Sequence, residues 1–534
     1  MRTPSTVDWR HFRGVLASPA RPKRWAVAVA ATALLVASCS GGSDNSEPPP
    51  ATRDIGTVTT TTPSTPTTVE SSPTSVPDPI DYSIEWQESG GSIDEGWITV
   101  PTDYADPQGD TIDLYLVRHR APEDSRIGPL LANRGGPGAS GALLGENATS
   151  WFRPDITDNF DVIGWDPRGT GRSEGAVDCI DDDEHDDFFS TLDATPDNDG
   201  EREALVSLAE EFAERCSTAV RDLQYVGTNN SARDMDAIRQ ALGEDQISYF
   251  GFSYGSELGG VWATMFPTTV RAAVFDGAAD PNAETLEQTR QQWVGFEAAL
   301  NTFLTACSAN SSCAFYNDGD AQGAFDALLV SLDANPAPTV AGRVPVDVGV
   351  AVVAVVQSMY SDRYWTALEH ALEDAAAGDG AGLLQLHDAY FDRQSDGSYG
   401  NLLEALQAIT CADDPARPTV AESDADAAEL ADVAPRLFPF TTGSYFCTFF
   451  PESLDPRIDI TGDGAGPIVV IGTTGDPSTP LASSRAMAET LEDGRLVIVE
   501  ANQHTGYRVN GCVDDIVHEY LVQLVPPADG TECA

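Results

Sequence analysis

Lysine is almost absent from this chain. Lys23 is the only one among 534 residues, and positions 25–534 have none. A Walker-type phosphate cradle, the strand lysine of kinase chemistry and a pyridoxal Schiff base each need a lysine at the reacting centre, so all three are excluded. Positive charge is scarce altogether, with 30 Lys and Arg against 84 Asp and Glu and a formal net charge of −54. A protein that grips a phosphate backbone must cluster Lys and Arg to release counterions, so nucleic acid is excluded as a partner. The acidity fits a solvated surface that resists association by self-repulsion, or a field that attracts cationic ligands. No C-x-x-C pair occurs among the nine cysteines, which removes the common zinc and redox motifs. Neither a metal nor an organic cofactor is implied.

What is present begins with an address. Arg21, Lys23 and Arg24 precede an apolar run, 25–37, that is too short to span a bilayer. Val36-Ala37-Ser38-Cys39 ends it. This small-residue site followed by cysteine resembles the bacterial lipobox, which implies lipidation at Cys39; an ordinary signal peptide with a chance cysteine is the alternative. Residues 1–39 therefore read as a leader, and 40–80, dominated by Ser, Thr, Pro and Gly, as a tether with too few apolar groups to order itself. The expected location is outside the cell, anchored by lipid to the outer face of the cytoplasmic membrane or secreted. Membrane contact is expected through the lipid alone. Setting Cys39 aside leaves eight cysteines, an even set in an exported chain, which argues for four disulfides. Proximity suggests Cys179 with Cys216, Cys307 with Cys313, Cys411 with Cys447 and Cys512 with Cys533.

The body alternates strand-like and helix-like patterns. Stretches 92–100 and 111–120 predict an opening hairpin. Runs 129–133, 160–165, 246–250 and 270–275 predict strands, with helices over 231–242 and 254–266. From 281 to 437 the pattern is helical and rich in Ala, Leu and Asp, which reads as an inserted lid. Strands at 467–472 and 495–500 and helices at 481–491 and 513–524 then resume. A βα series interrupted once and continued predicts a doubly wound, mostly parallel sheet carrying a helical cap. Its core would comprise 81–280 and 438–534.

Between a predicted strand and helix lies Gly251-Phe252-Ser253-Tyr254-Gly255. In that context G-x-S-x-G is a nucleophile elbow, a strained turn that presents the serine at a helix N-terminus. The serine needs a base, and in this class the chain order is serine, acid, histidine. His504, after the last core strand, fits. His119 falls in an early strand, His185 in an acidic loop, His370 and His387 in the lid and His518 on the terminal helix. Asp476, in Gly475-Asp476-Pro477-Ser478-Thr479-Pro480, is the expected acid, with Asp276 as the alternative. Two backbone amides must face the developing oxyanion. Tyr254 supplies one; Gly136, with Gly135 second, supplies the other from Asn133-Arg134-Gly135-Gly136-Pro137-Gly138. The loop 166–173 is expected to be structural. Thr479 is a candidate brace for the acid or the imidazole, beside its ordinary use in a turn.

These motifs, with Ile409-Thr410-Cys411-Ala412-Asp413, resemble the α/β-hydrolases of peptidase type, in particular the exported tripeptidyl aminopeptidase and proline iminopeptidase branch. The resemblance covers most of residues 90–534. Arg134 stands where that family usually has Pro or His, and Gln503-His504-Thr505 stands where it usually has Gly-His-Gly. The resemblance implies a serine hydrolase that releases short N-terminal peptides or residues through an acyl-enzyme. Such an enzyme must receive an ammonium, for which Asp413, Asp414 and Glu257 are the candidates. A carboxylesterase with the same triad is the rival expectation, and a non-catalytic envelope binding lipoprotein is the expectation from another class.

Overall fold

The computed structural model describes residues 80–190, 195–196, 198–438 and 445–534. The leader, Cys39 and the tether up to residue 79 lie outside the described residues.

Short runs with every residue buried make the middle of the sheet: β4 (Gly128–Asn133), β5 (Phe160–Trp165), β6 (Ile247–Phe252) and β8 (Ile468–Thr473). Strands without a polar face must be covered on both sides, which is the situation of parallel strands flanked by helices. With β1 (Ile84–Gly90), β2 (Ile93–Pro101), β3 (Thr111–His119), β7 (Val270–Asp276), β9 (Gly494–Val499) and β10 (Thr531–Cys533) they form one ten-stranded sheet. Its order is β1-β2-β3-β5-β4-β6-β7-β8-β9-β10. The β1–β2, β2–β3 and β3–β5 pairs are antiparallel, and every pairing from β5 to β10 is parallel.

Two strands escaped the sequence reading. β1 precedes the expected opening hairpin and pairs with β2; its sequence IEWQESG is largely exposed and carries little alternation. β10 spans three residues and exists through pairing with β9 and the Cys512–Cys533 disulfide. The helix Asp199–Ala219 was also not anticipated. Only five of its residues are buried, and its start is set by the Asn198 side chain accepting from Gly200 and Glu201 N–H.

The chain between β7 and β8 is helical, from Thr285–Ala309 through Val348–Met359 and Leu402–Asp413 to Val420–Val433. It has its own apolar centre, including Phe296, Leu300, Phe325, Val355 and Leu368. The eight cysteines pair as Cys179–Cys216, Cys307–Cys313, Cys411–Cys447 and Cys512–Cys533.

The loop after β5 is structural, held by one buried ion pair. Arg168, 1% exposed, donates to both Asp234 oxygens at 2.8 and 2.7 Å and to the carbonyls of Pro101 and Thr102. Asp166 accepts from Ser140 Oγ at 2.6 Å and from Arg172 N–H at 2.8 Å, which ties this loop to the one after β4.

Candidate active site

The strands β4, β6, β7, β8 and β9 end along one edge, where ligands bind in open α/β sheets. Ser253 occupies the turn after β6 with φ 55 and ψ −125, ahead of the helix Tyr254–Met265. A non-glycine residue there is strained, and the surroundings hold it. Its N–H donates to Asp276 O at 2.8 Å, and its carbonyl accepts from Ser256 N–H at 2.8 Å and Ser256 Oγ at 2.6 Å. Glycine is needed at position 251, because a Cβ there would stand 2.2 Å from Gly255 O.

Asp476 and His504 meet across the loops that follow β8 and β9. His504 Nδ1 lies 2.9 Å from each Asp476 oxygen. Asp476 Oδ1 also accepts from Ser478 N–H at 3.0 Å and Thr479 N–H at 2.8 Å, and Oδ2 from Thr505 N–H at 3.3 Å. With its lone pairs so occupied the carboxylate cannot turn, and it fixes the orientation of the imidazole. His504 Nε2, the other ring nitrogen, is buried and has no hydrogen-bond partner among the described residues. Ser253 and His504 line the same cleft. Burial alone would lower the imidazole pKa; the Asp476 carboxylate first, then Asp276, outweigh it and hold the ring above its ordinary value.

Asp276, the alternative acid, has another task. Fully buried, it accepts the N–H groups of Gly506 at 2.6 Å and Tyr507 at 2.8 Å, and so clamps the histidine loop to the end of β7. Burial pushes its pKa up to about 6 against the lowering effect of those two amides. The Thr479 hydroxyl has two acceptors in reach, Gly277 O at 2.9 Å and Asp476 Oδ2 at 3.2 Å, and lies 3.3 Å from His504 Nδ1, the nitrogen that faces Asp476. The helical chain between β7 and β8 reaches His504 directly, since His504 N–H donates to Tyr360 O at 2.9 Å and the two rings stack edge to face at 5.6 Å.

Of the three expected oxyanion donors, one is corrected. The Gly135 N–H is already given to Asn133 Oδ1 at 2.9 Å, so it is not a donor to substrate. Its requirement is steric: φ is +100, and a Cβ there would fall 2.6 Å from Phe252 O and 2.9 Å from Ser253 Cβ. Gly136 and Tyr254 both line the cleft, and neither amide donates to another group among the described residues. They are free to face a developing negative charge. The Asn-x-Gly spacing of Asn133 and Gly135 was a visible signal for the side-chain turn that removes Gly135.

All three candidate ammonium acceptors line the cleft. Glu257 pairs with Arg457 at 2.7 Å, a partner the sequence reading missed. Asp413 Oδ1 accepts from Thr228 N–H at 2.6 Å, and Thr228 Oγ1 in turn contacts Tyr254 OH at 2.5 Å. Burial, with the Glu257 charge adding to it, pushes the Asp413 pKa up to about 7. Among the described residues the Asp414 carboxylate accepts one hydrogen bond, from Ala416 N–H at 2.7 Å, and stands in no ion pair, which leaves acceptor capacity unused.

Comparison with known proteins identifies the family of the chain. Residues 128–510 match the family described as alpha/beta hydrolase fold. The serine protease Hip1 of Mycobacterium tuberculosis is 34% identical over 465 residues, covering 82% of this chain and 86% of that protein. Carboxylesterase B of the same organism is 35% identical over 450 residues, covering 82% and 85%. A tripeptidyl aminopeptidase of Streptomyces coelicolor is 30% identical over 480 residues, covering 84% and 86%. The chain belongs to the α/β-hydrolase fold family.

Proposed function

We propose that the protein is a serine peptidase that removes short N-terminal peptides or residues from its substrates through an acyl-enzyme at Ser253; the Streptomyces relative is named a tripeptidyl aminopeptidase. The single observation that carries this reading is the Asp476–His504 pair, joined at Nδ1 and leaving Nε2 unpaired in the cleft that Ser253 lines. In the first step Ser253 Oγ attacks the substrate carbonyl while His504 Nε2 takes its proton, and the oxyanion is received by the amides of Gly136 and Tyr254. His504 then passes the proton to the departing amine, and water repeats the cycle to release the acyl group. Asp476 keeps its charge throughout and stabilises the imidazolium.

Peptide substrates are favoured by the size and walls of the cleft. Its volume of about 1770 Å3 exceeds the roughly 300–1,000 Å3 of an ordinary small-molecule pocket. Carboxylates, among them Glu257, Asp280, Glu284, Asp413, Asp414 and Asp426, stand on its wall. A substrate ammonium is bound by such groups, and Asp414 is the acceptor we assign to it. The same catalytic groups cleave esters, and the carboxylesterase relative keeps that second reading in view.

Turnover of alanyl-prolyl-type arylamides beside p-nitrophenyl esters, with fluorophosphonate labelling of Ser253, is the test. Arylamide cleavage that disappears in Ser253→Ala is expected. Ester turnover with no amide cleavage replaces the peptidase reading by the esterase one, and absence of labelling on folded protein overturns both.

We further propose export and a lipid anchor at Cys39, supported by the lipobox-like sequence and by four disulfides, which persist in oxidising compartments. Fractionation of producing cells is the check, with the wild type in the membrane fraction and Cys39→Ala released from it. A wild type found only in the medium points to secretion without an anchor.

A further inference from the structure

Arg134 stands apart among the cations of this chain. Of the described arginines, all but Arg134 and Arg485 hold a hydrogen bond or an ion pair. Arg485 is exposed on the helix Leu481–Thr490 and lies outside the cleft. Arg134 is half-buried and lines the cleft together with Ser253 and His504. The two other arginines of the cleft wall are engaged, Arg457 by Glu257 at 2.7 Å and Arg363 by Ser361 Oγ at 3.1 Å. In a chain with 84 carboxylates, a guanidinium without one among the described residues, on a residue of the wall that Ser253 and His504 share, is a specific arrangement.

The backbone on either side of Arg134 is fixed. Asn133 ends β4 at 1% exposure and holds Gly135 N–H with its side chain, and Gly135 packs against Ser253. Arg134 therefore starts one peptide unit, about 3.8 Å between Cα atoms, from a residue in contact with the nucleophile. Its planar fork of donors matches a carboxylate bidentately. Elsewhere the cleft wall carries many carboxylates that repel an anion, so a substrate with both charges has a preferred direction, ammonium toward Asp414 and carboxylate toward Arg134.

We propose that Arg134 binds a carboxylate of the substrate, either the C-terminal carboxylate of a short peptide or an Asp or Glu side chain near the bond that is cut. This deepens the hydrolase reading above and rests on it. It makes the enzyme selective for short or acidic substrates, and it assigns the departure at position 134 to specificity.

The test compares kcat/KM for matched substrates that differ by one charge. One arm sets a short peptide with a free C-terminus against its C-terminal amide. A second arm sets Asp-containing arylamides against their Asn counterparts. A third sets p-nitrophenyl esters of a dicarboxylic half-acid against those of its monomethyl ester. The wild type is expected to favour the carboxylate in at least one arm by about tenfold or more, the usual worth of a charge-assisted hydrogen bond. Arg134→Gln brings that ratio close to one, mainly through KM. Arg134→Lys retains part of it, and Arg485→Gln, which removes the same charge outside the cleft, retains all of it. Preference in the first arm alone identifies the terminal carboxylate; preference in the second identifies the side chain. A wild type with no preference in any arm, or a ratio that survives Arg134→Gln, overturns the proposal. The ester arm decides on Arg134 even where amides are not cleaved, so failure of the peptidase reading is separable from failure of this one.

Discussion

Asp276 accepts the N–H of Gly506 at 2.6 Å, and this bond, with that from Tyr507 N–H, ties the loop that carries His504 to the end of strand β7. The acid that contacts the imidazole is Asp476; Asp276 works from behind the loop, through backbone amides and through its charge. A base positioned this way has consequences for pH, stability and turnover.

Removing Ser253 or His504, the nucleophile and base we propose, is expected to abolish most turnover without unfolding the protein. Ser253→Ala and His504→Ala should each lower kcat by about 10^4-fold or more, and the double variant little further, because the groups act as a unit. Stopped assays at high enzyme concentration, with thermal unfolding as the control for fold, measure both.

Activity should rise with pH through an apparent pKa above 6.5, since His504 accepts a proton only when neutral and its pKa lies above that ordinary value. Asp276→Asn withdraws one of the charges that raise it, so the acid limb of the kcat/KM profile should move to lower pH. An acid limb that does not move shows that Asp276 acts through the loop alone.

Thr505 has φ 69, a left-handed conformation that costs a β-branched residue of order 1–3 kcal/mol. Thr505→Gly should relieve that strain and lose part of the gain to unfolded-chain entropy, leaving a stabilisation of about 1 kcal/mol. Denaturant titration reads it, and a destabilised variant contradicts the account of strain.

The buried pair Arg168–Asp234 predicts a large loss when half of it is removed. Asp234→Ala leaves a guanidinium buried without its carboxylate and should cost about 3–5 kcal/mol, whereas a double replacement by apolar residues of similar volume should recover much of this. Equilibrium unfolding of the single and double variants separates the two effects.

Asp413 links pH to stability. Its folded pKa, about 7, lies above its ordinary value of 3.8, so the folded state binds the proton more tightly. That contribution is fully present below pH 3.8 and is lost as pH rises through about 7. Asp413→Asn, permanently neutral, should gain on the wild type by about 1–2 kcal/mol between pH 4 and pH 8, after allowance for solvent screening at the cleft. Paired melting curves across that range give the difference directly.

Legibility in the sequence followed the range of the interactions involved. The buried strands β4, β5, β6 and β8 announce themselves because each is a short apolar run closed by glycine or a turn. The elbow around Ser253 was legible because its glycines answer a local close approach. β1 was hidden because its polar residues owe their strand to β2, and β10 because three residues carry no pattern. Gly135 was misjudged because one side chain, that of Asn133, decides whether its amide is free.

The sequence by itself determined the chemical inventory: no lysine past position 23, a serine on a strained turn, a late aspartate and a late histidine in the right order. Residue type and near-neighbour spacing fix these, because turn strain and burial periodicity are properties of a few consecutive residues. Only the tertiary structure decided that Asp476 and not Asp276 touches the imidazole, that Glu257 is neutralised by Arg457, and that Arg134 has no partner among the described residues. Each of those outcomes depends on distances between segments far apart in the chain, and an electrostatic interaction exists only where the folded backbone brings its two ends together.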